Sequence, residues 1–445
     1  MAGSVFDSQV YGELFSGGEA SRLFSDSAEV RAMLLVEGAL AKAQGEAGVI
    51  PQESAAAIGR AVVEIAVDPG VLKWPTGQNG VPVPGLVAAF REEMKAPEHA
   101  QYVHWGATSQ DIMDSALMLR LRQALTQVET DVKATVQSLG KLAKSHANLP
   151  MAARTYGQHA TPTSFGAVAA AWGVPLLNLL GELPALRRSC LVVSLSGAAG
   201  TSSALGPKAA EVRAAMAKGL ALQDPGRSWH TDRTPVLRIA DWLLRVNLAF
   251  GKIGADCTAL VQSGIQEISL GGGGASSTMP QKQNPVAPSV LTALARQGSG
   301  LFTVLQSAAL QQHQRDGAAW FTEWMCLPQV VLGAACAART GSALCSGLAP
   351  NTGAMAEGLT QGLGLIHAEA LTFTLAGQMP RPEAQAAVKD LCKEAQSTCT
   401  PLKALVERDY PAMDASALFD PAQQLGNAPL EALEFSKMAD GLNKS

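Results

Sequence analysis

Neither sign of charge dominates this chain. Lys and Arg number 34 against 38 Asp and Glu, a net charge of −4 over 445 residues, so nothing in the balance attracts a polyanion and no nucleic-acid partner is expected. Cysteines in CxxC pairs are missing, and none stands near a histidine at metal-ligand spacing, so no metal site is expected. The seven thiols (Cys190, Cys257, Cys326, Cys336, Cys345, Cys392 and Cys399) read as free and buried in a reducing cytoplasm. A phosphate-binding P-loop and a dinucleotide-binding glycine fingerprint are both absent, which argues against a nucleotide or flavin cofactor. The opening residues, MAGSVFDSQVYGEL, lack the basic start and apolar stretch of a secretory leader, and the mature, cytoplasmic chain is expected to begin there. Long apolar runs are scarce as well. The stretch from Thr163 to Leu180 comes nearest, but small residues and Pro175 interrupt it, and it barely reaches the roughly 20 residues that a bilayer requires. A helix buried among other helices is expected there, and no membrane association.

What is present is apolar and helical. With 47% apolar residues the chain can bury a large core and build more than one domain. Period-2 alternation is almost absent, so the expected class is all-α. From Val30, the positions Met33, Leu34, Leu35, Ala39, Leu40 and Ala43 form one stripe, with Glu37 and Lys42 turned away. A long helical pattern runs from Asp111 to Ala147 and stops before Pro150. Another runs from about Pro162 to Val193. A third, with Asp232 or Thr234 as N-cap and Pro235 in its first turn, buries Ile239, Leu243, Val246, Phe250 and Ile253. A fourth begins near Pro285, and a fifth covers Pro328 to Leu348. Helices this much longer than the usual mean of about 11 to 12 residues are expected to pack along one another in a bundle. Their faces rich in Ala and Gly, with little charge to cover them, point to oligomerisation. After Leu348 the pattern shortens and gains Pro and Gly. The expected division is an N-terminal helical domain over 1–107, a central long-helix bundle over 108–350 and a small C-terminal helical domain over 351–445.

Gly271 to Val286, GGGGASSTMPQKQNPV, carries the most chemistry. Four glycines give backbone freedom, Ser276, Ser277 and Thr278 supply hydroxyls, and Lys282 and Asn284 precede a helix start. Such a segment can be a flexible linker, or a lid that delivers a serine beside a cation and a helix N-terminus, both of which favour an anion. Tyr102 to Ser115 reads YVHWGATSQDIMDS, a turn followed by an N-cap in its plainest reading. Arg154 to Gly166 reads RTYGQHATPTSFG, and Gln311 to Trp324 reads QQHQRDGAAWFTEW.

Together these segments resemble the fumarase/aspartase superfamily, whose fingerprint GSSxMPxKxNP the first matches closely. Ser276 falls on the family's catalytic serine, Lys282 on its lysine and Asn284 on its asparagine, with Ala275 standing where the family has a glycine. His104, Thr108, Ser109 and Asp111 match the pattern H-x-G-x-T-S-x-D, whose hydroxyls bind a substrate carboxylate. Tyr156 departs from the histidine that helps protonate the leaving group in fumarases and adenylosuccinate lyases. An aromatic residue followed by a run like Gln158 to Pro162 occurs in the 3-carboxy-cis,cis-muconate cycloisomerase branch, which makes Gln158 and His159 candidate substrate ligands beside Tyr156. In the fourth segment Arg315 and Asp316 remain of the phosphate-binding pattern of adenylosuccinate lyases, while Ala318, Trp320 and Trp324 replace its serines and second arginine. Those tryptophans resemble the cycloisomerase branch and are equally compatible with a plain helical core. The resemblance runs from about residue 30 to about residue 375.

The resemblance implies a cofactor-free enzyme with a long central helix bundle, a homotetramer with active sites shared between subunits, and a small polycarboxylate substrate. The implied reaction is lactonisation of 3-carboxy-cis,cis-muconate, with Ser276 delivering a proton, Lys282 and Asn284 stabilising the intermediate, and His104, Thr108, Ser109, His159 and Arg315 holding carboxylates. Two alternatives stay open: an amine-eliminating lyase that releases fumarate from an N-substituted aspartate, and an inactive helical scaffold.

Overall fold

The computed structural model describes residues 3–272, 274–275, 279 and 282–442. It is all-α, with long helices at Asp26–Glu46, Ser109–Ser145, Phe165–Cys190, Thr234–Leu260, Val286–Ser307 and Gly317–Gly347. Among the described residues, strands occur only as three two-stranded antiparallel sheets. The chain divides into two compact units, one made of residues 1–131, 179–248 and 293–339, the other of 132–178, 249–292 and 340–445.

The first unit begins its folding logic at Ser25, whose Oγ accepts from the Ala28 N–H and starts the Asp26–Glu46 helix. That helix buries Val30, Met33, Leu34, Val36, Leu40 and Ala43, much as its periodicity predicts. Two positions are exchanged relative to the sequence reading. Leu35 is 41% exposed and Glu37 is only 2% exposed, because Glu37 finds a partner inside the unit. The Thr234–Leu260 helix opens beside Asp232, whose Oδ1 accepts from the Thr234 N–H, and Ile239, Leu243 and Val246 are fully buried on it. Just before it, the fully buried Arg233 forks to Asp114 (2.8 and 2.9 Å) and to Glu323 (2.9 and 2.7 Å) beneath the ring of Trp229. Burial opposes charge on Arg233, but the two carboxylates raise its pKa and keep it a cation. Burial, with Asp114 close by, pushes the Glu323 carboxyl up, as expected where two acids share one base. The fork joins the Ser109–Ser145 helix to the Gly317–Gly347 helix. The latter starts well before Pro328, where the sequence reading began it: Asp316 Oδ1 accepts from the Ala318 and Ala319 N–H groups, and Pro328 is carried inside the helix.

In the second unit, Pro150–Thr155 and Gln158–Ser164 form a hairpin where the sequence reading extended a helix back to Pro162. Ser164 decides the true start, since its Oγ accepts from the Ala167 N–H and caps the Phe165–Cys190 helix. A C-terminal core of Leu371, Leu375, Val388, Leu391, Leu402 and Val406 closes this unit. The Phe165–Cys190 and Gly317–Gly347 helices are long and apolar enough to cross a membrane by length and composition. However, 50% and 67% of their most apolar windows are buried inside the protein, as core helices are. Close packing here depends on small residues. A Cβ built on Gly173 would lie 2.0 Å from Cζ of the buried Phe435. Gly173→Ala is therefore expected to lower stability by about 1–3 kcal/mol through overpacking, and Phe435→Leu in the same chain to recover part of it. Urea denaturation midpoints of the two variants check this.

Candidate functional site

The first motif lies wholly in the first unit and is organised by one buried carboxylate. Asp111 is fully buried, three residues after Thr108, and its Oδ2 accepts from the Thr108 N–H at 3.1 Å, half of a capping box at the start of the Ser109–Ser145 helix. Its two oxygens also accept from Ser194 Oγ (3.0 Å), Ser196 N (2.8 Å), Gly197 N (2.9 Å) and His230 Nε2 (2.8 Å). Thr108 and Ser109 are thereby set, half-buried, at a helix N-terminus, where hydroxyls and free N–H groups suit a carboxylate. Arg315 joins the same constellation: its Nε donates to Gln110 Oε1 at 2.8 Å, and Gln110 Nε2 donates to the His230 carbonyl at 2.9 Å.

His104 stands in the turn before this helix with φ of 64°, a left-handed conformation that costs a non-glycine residue energy. Its Nδ1 donates to Glu37 Oε1 at 2.7 Å. Burial works against a charged ring, but the hydrogen bond and charge of Glu37, with Asp111 behind them and Arg91 opposing, raise its pKa above the ordinary 6.5. A raised histidine stabilises the fold fully below its unfolded value, and that contribution is lost as pH climbs through the folded value.

The remaining motif residues belong to the second unit. Tyr156 and Gly157 form the two-residue turn of the hairpin, with φ of 52° and 74°, the positive values such a turn needs. Tyr156, Gln158 and His159 are exposed at this tip. At the stem, Arg154 forks onto the buried Glu267 at 2.7 and 2.9 Å. Gly274–Ala275 pairs with Gln283–Asn284, so Asn284 sits just ahead of the Val286–Ser307 helix. Lys282 and Asn284 line an open cavity of about 1080 Å³ together with Ser269, Met279 and Asn351. Ser276 lies outside the described residues. Trp320 and Trp324, in the first unit, lie with ring centroids 4.8 Å apart and planes tilted by 59°, and form one wall of a cavity of about 590 Å³ with Phe24, Met33 and the charged Arg120 and Glu323. Among the described residues, no group of three or more His, Cys, Asp or Glu side chains is placed to hold a metal ion.

Three residues escaped the sequence reading. Glu37 carried a signal, an acid inside an apolar stripe. Gln110 and His230 carried none, since their roles arise from contacts across 205 and 119 positions.

A family model described as a lyase matches residues 18–300. The 3-carboxy-cis,cis-muconate cycloisomerase of Pseudomonas aeruginosa is 36% identical over 94% of this chain and 94% of its own. A nitrosuccinate lyase of Streptomyces davaonensis is 33% identical over 96% of this chain and 94% of its own. Among solved structures, the 3-carboxy-cis,cis-muconate lactonizing enzyme of Pseudomonas putida superposes with a TM-score of 0.92 at 32% identity, covering 98% of this chain and 100% of that one.

The Asp111 hub yields a direct test. Asp111→Asn keeps the shape but turns an amide N–H₂ toward donors that need an acceptor. It is expected to lower stability by about 2–5 kcal/mol, read as the denaturation midpoint in urea.

Proposed function

The chain belongs to the fumarase/aspartase superfamily of lyases, and from that premise we propose that it lactonises 3-carboxy-cis,cis-muconate in the protocatechuate (β-ketoadipate) branch of aromatic degradation. What carries the reading is the near end-to-end likeness to cycloisomerases of that substrate. Tyr156 supplies the chemical reason. In this reaction one carboxylate oxygen of the substrate adds to a carbon β to a second carboxylate. The C–O bond forms, the alkene electrons move onto the second carboxylate as an aci-anion, and the α-carbon then takes one proton. The attacking group is already ionised at neutral pH, so position 156 has no proton it must handle.

The roles rest on the motif resemblance, and the geometry of the described segments supports them. Thr108 and Ser109 at a helix N-terminus, the His104 imidazole and the Arg315 guanidinium supply donors for the carboxylates of a substrate with a charge of about −3. Lys282 and Asn284, ahead of the Val286–Ser307 helix, are suited to stabilising the aci-anion. We assign Ser276 the proton delivered to the α-carbon, and Gln158 and His159 substrate contacts. A substrate cannot be enclosed by a hairpin tip that is exposed in its own chain. This supports active sites completed by neighbouring copies, and we propose a homotetramer acting in the cytoplasm. Exposed apolar residues on the long helices, Leu248, Val304 and Met325 among them, support the same assembly. Release of fumarate by elimination is the second reading, favoured by the likeness to the nitrosuccinate lyase.

Purified protein mixed with 3-carboxy-cis,cis-muconate is expected to bleach the conjugated-diene absorbance. A rise at short wavelength with an N-substituted aspartate, and no bleaching, would support elimination instead. On the muconate, Tyr156→Phe should change kcat by less than about tenfold, whereas Ser276→Ala should lose about 10² to 10⁴. Equal losses would make Tyr156 an acid and favour the eliminating lyase. Sedimentation of the active protein is expected to give a tetramer, and a fully active monomer would contradict shared sites.

A further inference from the structure

We propose that Glu37 is a positioning residue for His104: by accepting from Nδ1 it fixes the ring so that, in the imidazolium form, Nε2–H is the donor left for a substrate carboxylate. The inference deepens the reading above and rests on His104 being a carboxylate ligand.

Glu37 is out of place as a structural residue. It is 2% exposed on the apolar face of the Asp26–Glu46 helix, between Val36 and Leu40, and a buried carboxylate is costly there unless paired. One oxygen meets His104 Nδ1 at 2.7 Å, while Oε2 is buried with no hydrogen-bond partner among the described residues. A leucine would serve the packing better, so the role of Glu37 lies in what it does to His104. Two turns along the same helix face, Gln44 Nε2 donates to the Trp105 carbonyl at 2.6 Å. The helix thus supplies two side chains that clamp the His104–Trp105 turn, and that clamp accounts for the persistence of the strained φ at His104.

The charge state follows from the groups that face the ring. Burial and Arg91, on the Val83–Met94 helix, disfavour the imidazolium; Glu37 and Asp111, at the start of the Ser109–Ser145 helix, favour it and prevail. Without the charge of Glu37, burial and Arg91 are opposed by Asp111 alone, and the midpoint should fall below the ordinary value. Between the two midpoints the wild type presents a cationic donor and the variant a neutral ring. Below both they behave alike, and above both neither ring is charged.

The test compares wild type, Glu37→Gln and Glu37→Asp as full chains. With 3-carboxy-cis,cis-muconate, Glu37→Gln is expected to raise KM by about 10- to 100-fold near neutral pH. Its kcat should change by less than about threefold. The KM ratio should shrink toward one as pH falls, and Glu37→Asp should recover part of the loss. A KM penalty independent of pH would mean a merely structural role and overturn the proposal. In parallel, NMR of histidine-labelled protein follows His104, assigned as the signal absent from His104→Gln. The expected result is a wild-type midpoint above 6.5 with the neutral ring protonated on Nδ1, and a lower midpoint in Glu37→Gln. An unmoved midpoint, or a wild-type neutral ring protonated on Nε2, would sink the idea, and the second measurement needs no variant at Glu37 to fold. Because NMR requires no turnover, a shifted midpoint without muconate bleaching would leave the dyad standing and refute the lactonising function alone. Tricarballylate binding then replaces KM as the pH-dependent readout.

Discussion

The carboxylate of Asp111 is the constraint on which the motif residues of the first unit depend. A buried anion is tolerable only when its lone pairs are filled, and here five donors fill them, from Thr108, Ser194, Ser196, Gly197 and His230. Those donors come from three stretches of chain, and the carboxylate collects all three beside the Ser115–Ser194, Trp229–Val193 and Gln110–His230 hydrogen bonds that also link them. Satisfying one acid therefore fixes the start of the Ser109–Ser145 helix, the turn at Ser196–Gly197 and the loop ahead of Arg233 at once. Thr108 and Ser109 inherit their position from it, and Gln110 carries Arg315 into the same neighbourhood.

The two units solve different problems. In the first, polar groups are buried, paired and held in place, as a site needs if its donors are to be oriented before a ligand arrives. In the second, the motif residues stand outward: Lys282 lines an open cavity, and Tyr156 to His159 sit beyond the hydrophobic interior. The stem of that hairpin is anchored through the Arg154–Glu267 fork and through Ala152, buried with Leu359 and Ile366.

Much of this was legible in the sequence, and the failures have physical causes. Long helices announce themselves by repeating apolar positions, and Ile239, Leu243 and Val246 lie where periodicity puts them. Proline does not mark the helix starts at two places. Pro162 fits a strand and Pro328 a helix interior, while the real starts were set by the side-chain oxygens of Ser164 and Asp316. The hairpin went unseen because Tyr-Gly is an unusual pair for a turn that needs two positive φ values. The motif strings pointed to His104, Thr108, Ser109 and Arg315, and the fold gathers these in one unit. Of their supporting partners, Gln110 and His230 left no local trace, and Glu37, 67 positions from His104, is marked only by its spacing between Met33 and Leu40 in the apolar stripe.

The exposed tip at Tyr156 and Gly157 also bears on how such a protein can change over generations. The Tyr156 side chain buries nothing in its own chain and can be exchanged with little loss of packing, while the positive φ of the turn still constrains Gly157. The fastening at Arg154 and Glu267 holds the hairpin whatever side chain stands at its end. The position to which we assign a bearing on the leaving group is thus uncoupled from the core. Inheritance can try new chemistry at position 156 while the helices beneath stay as they are.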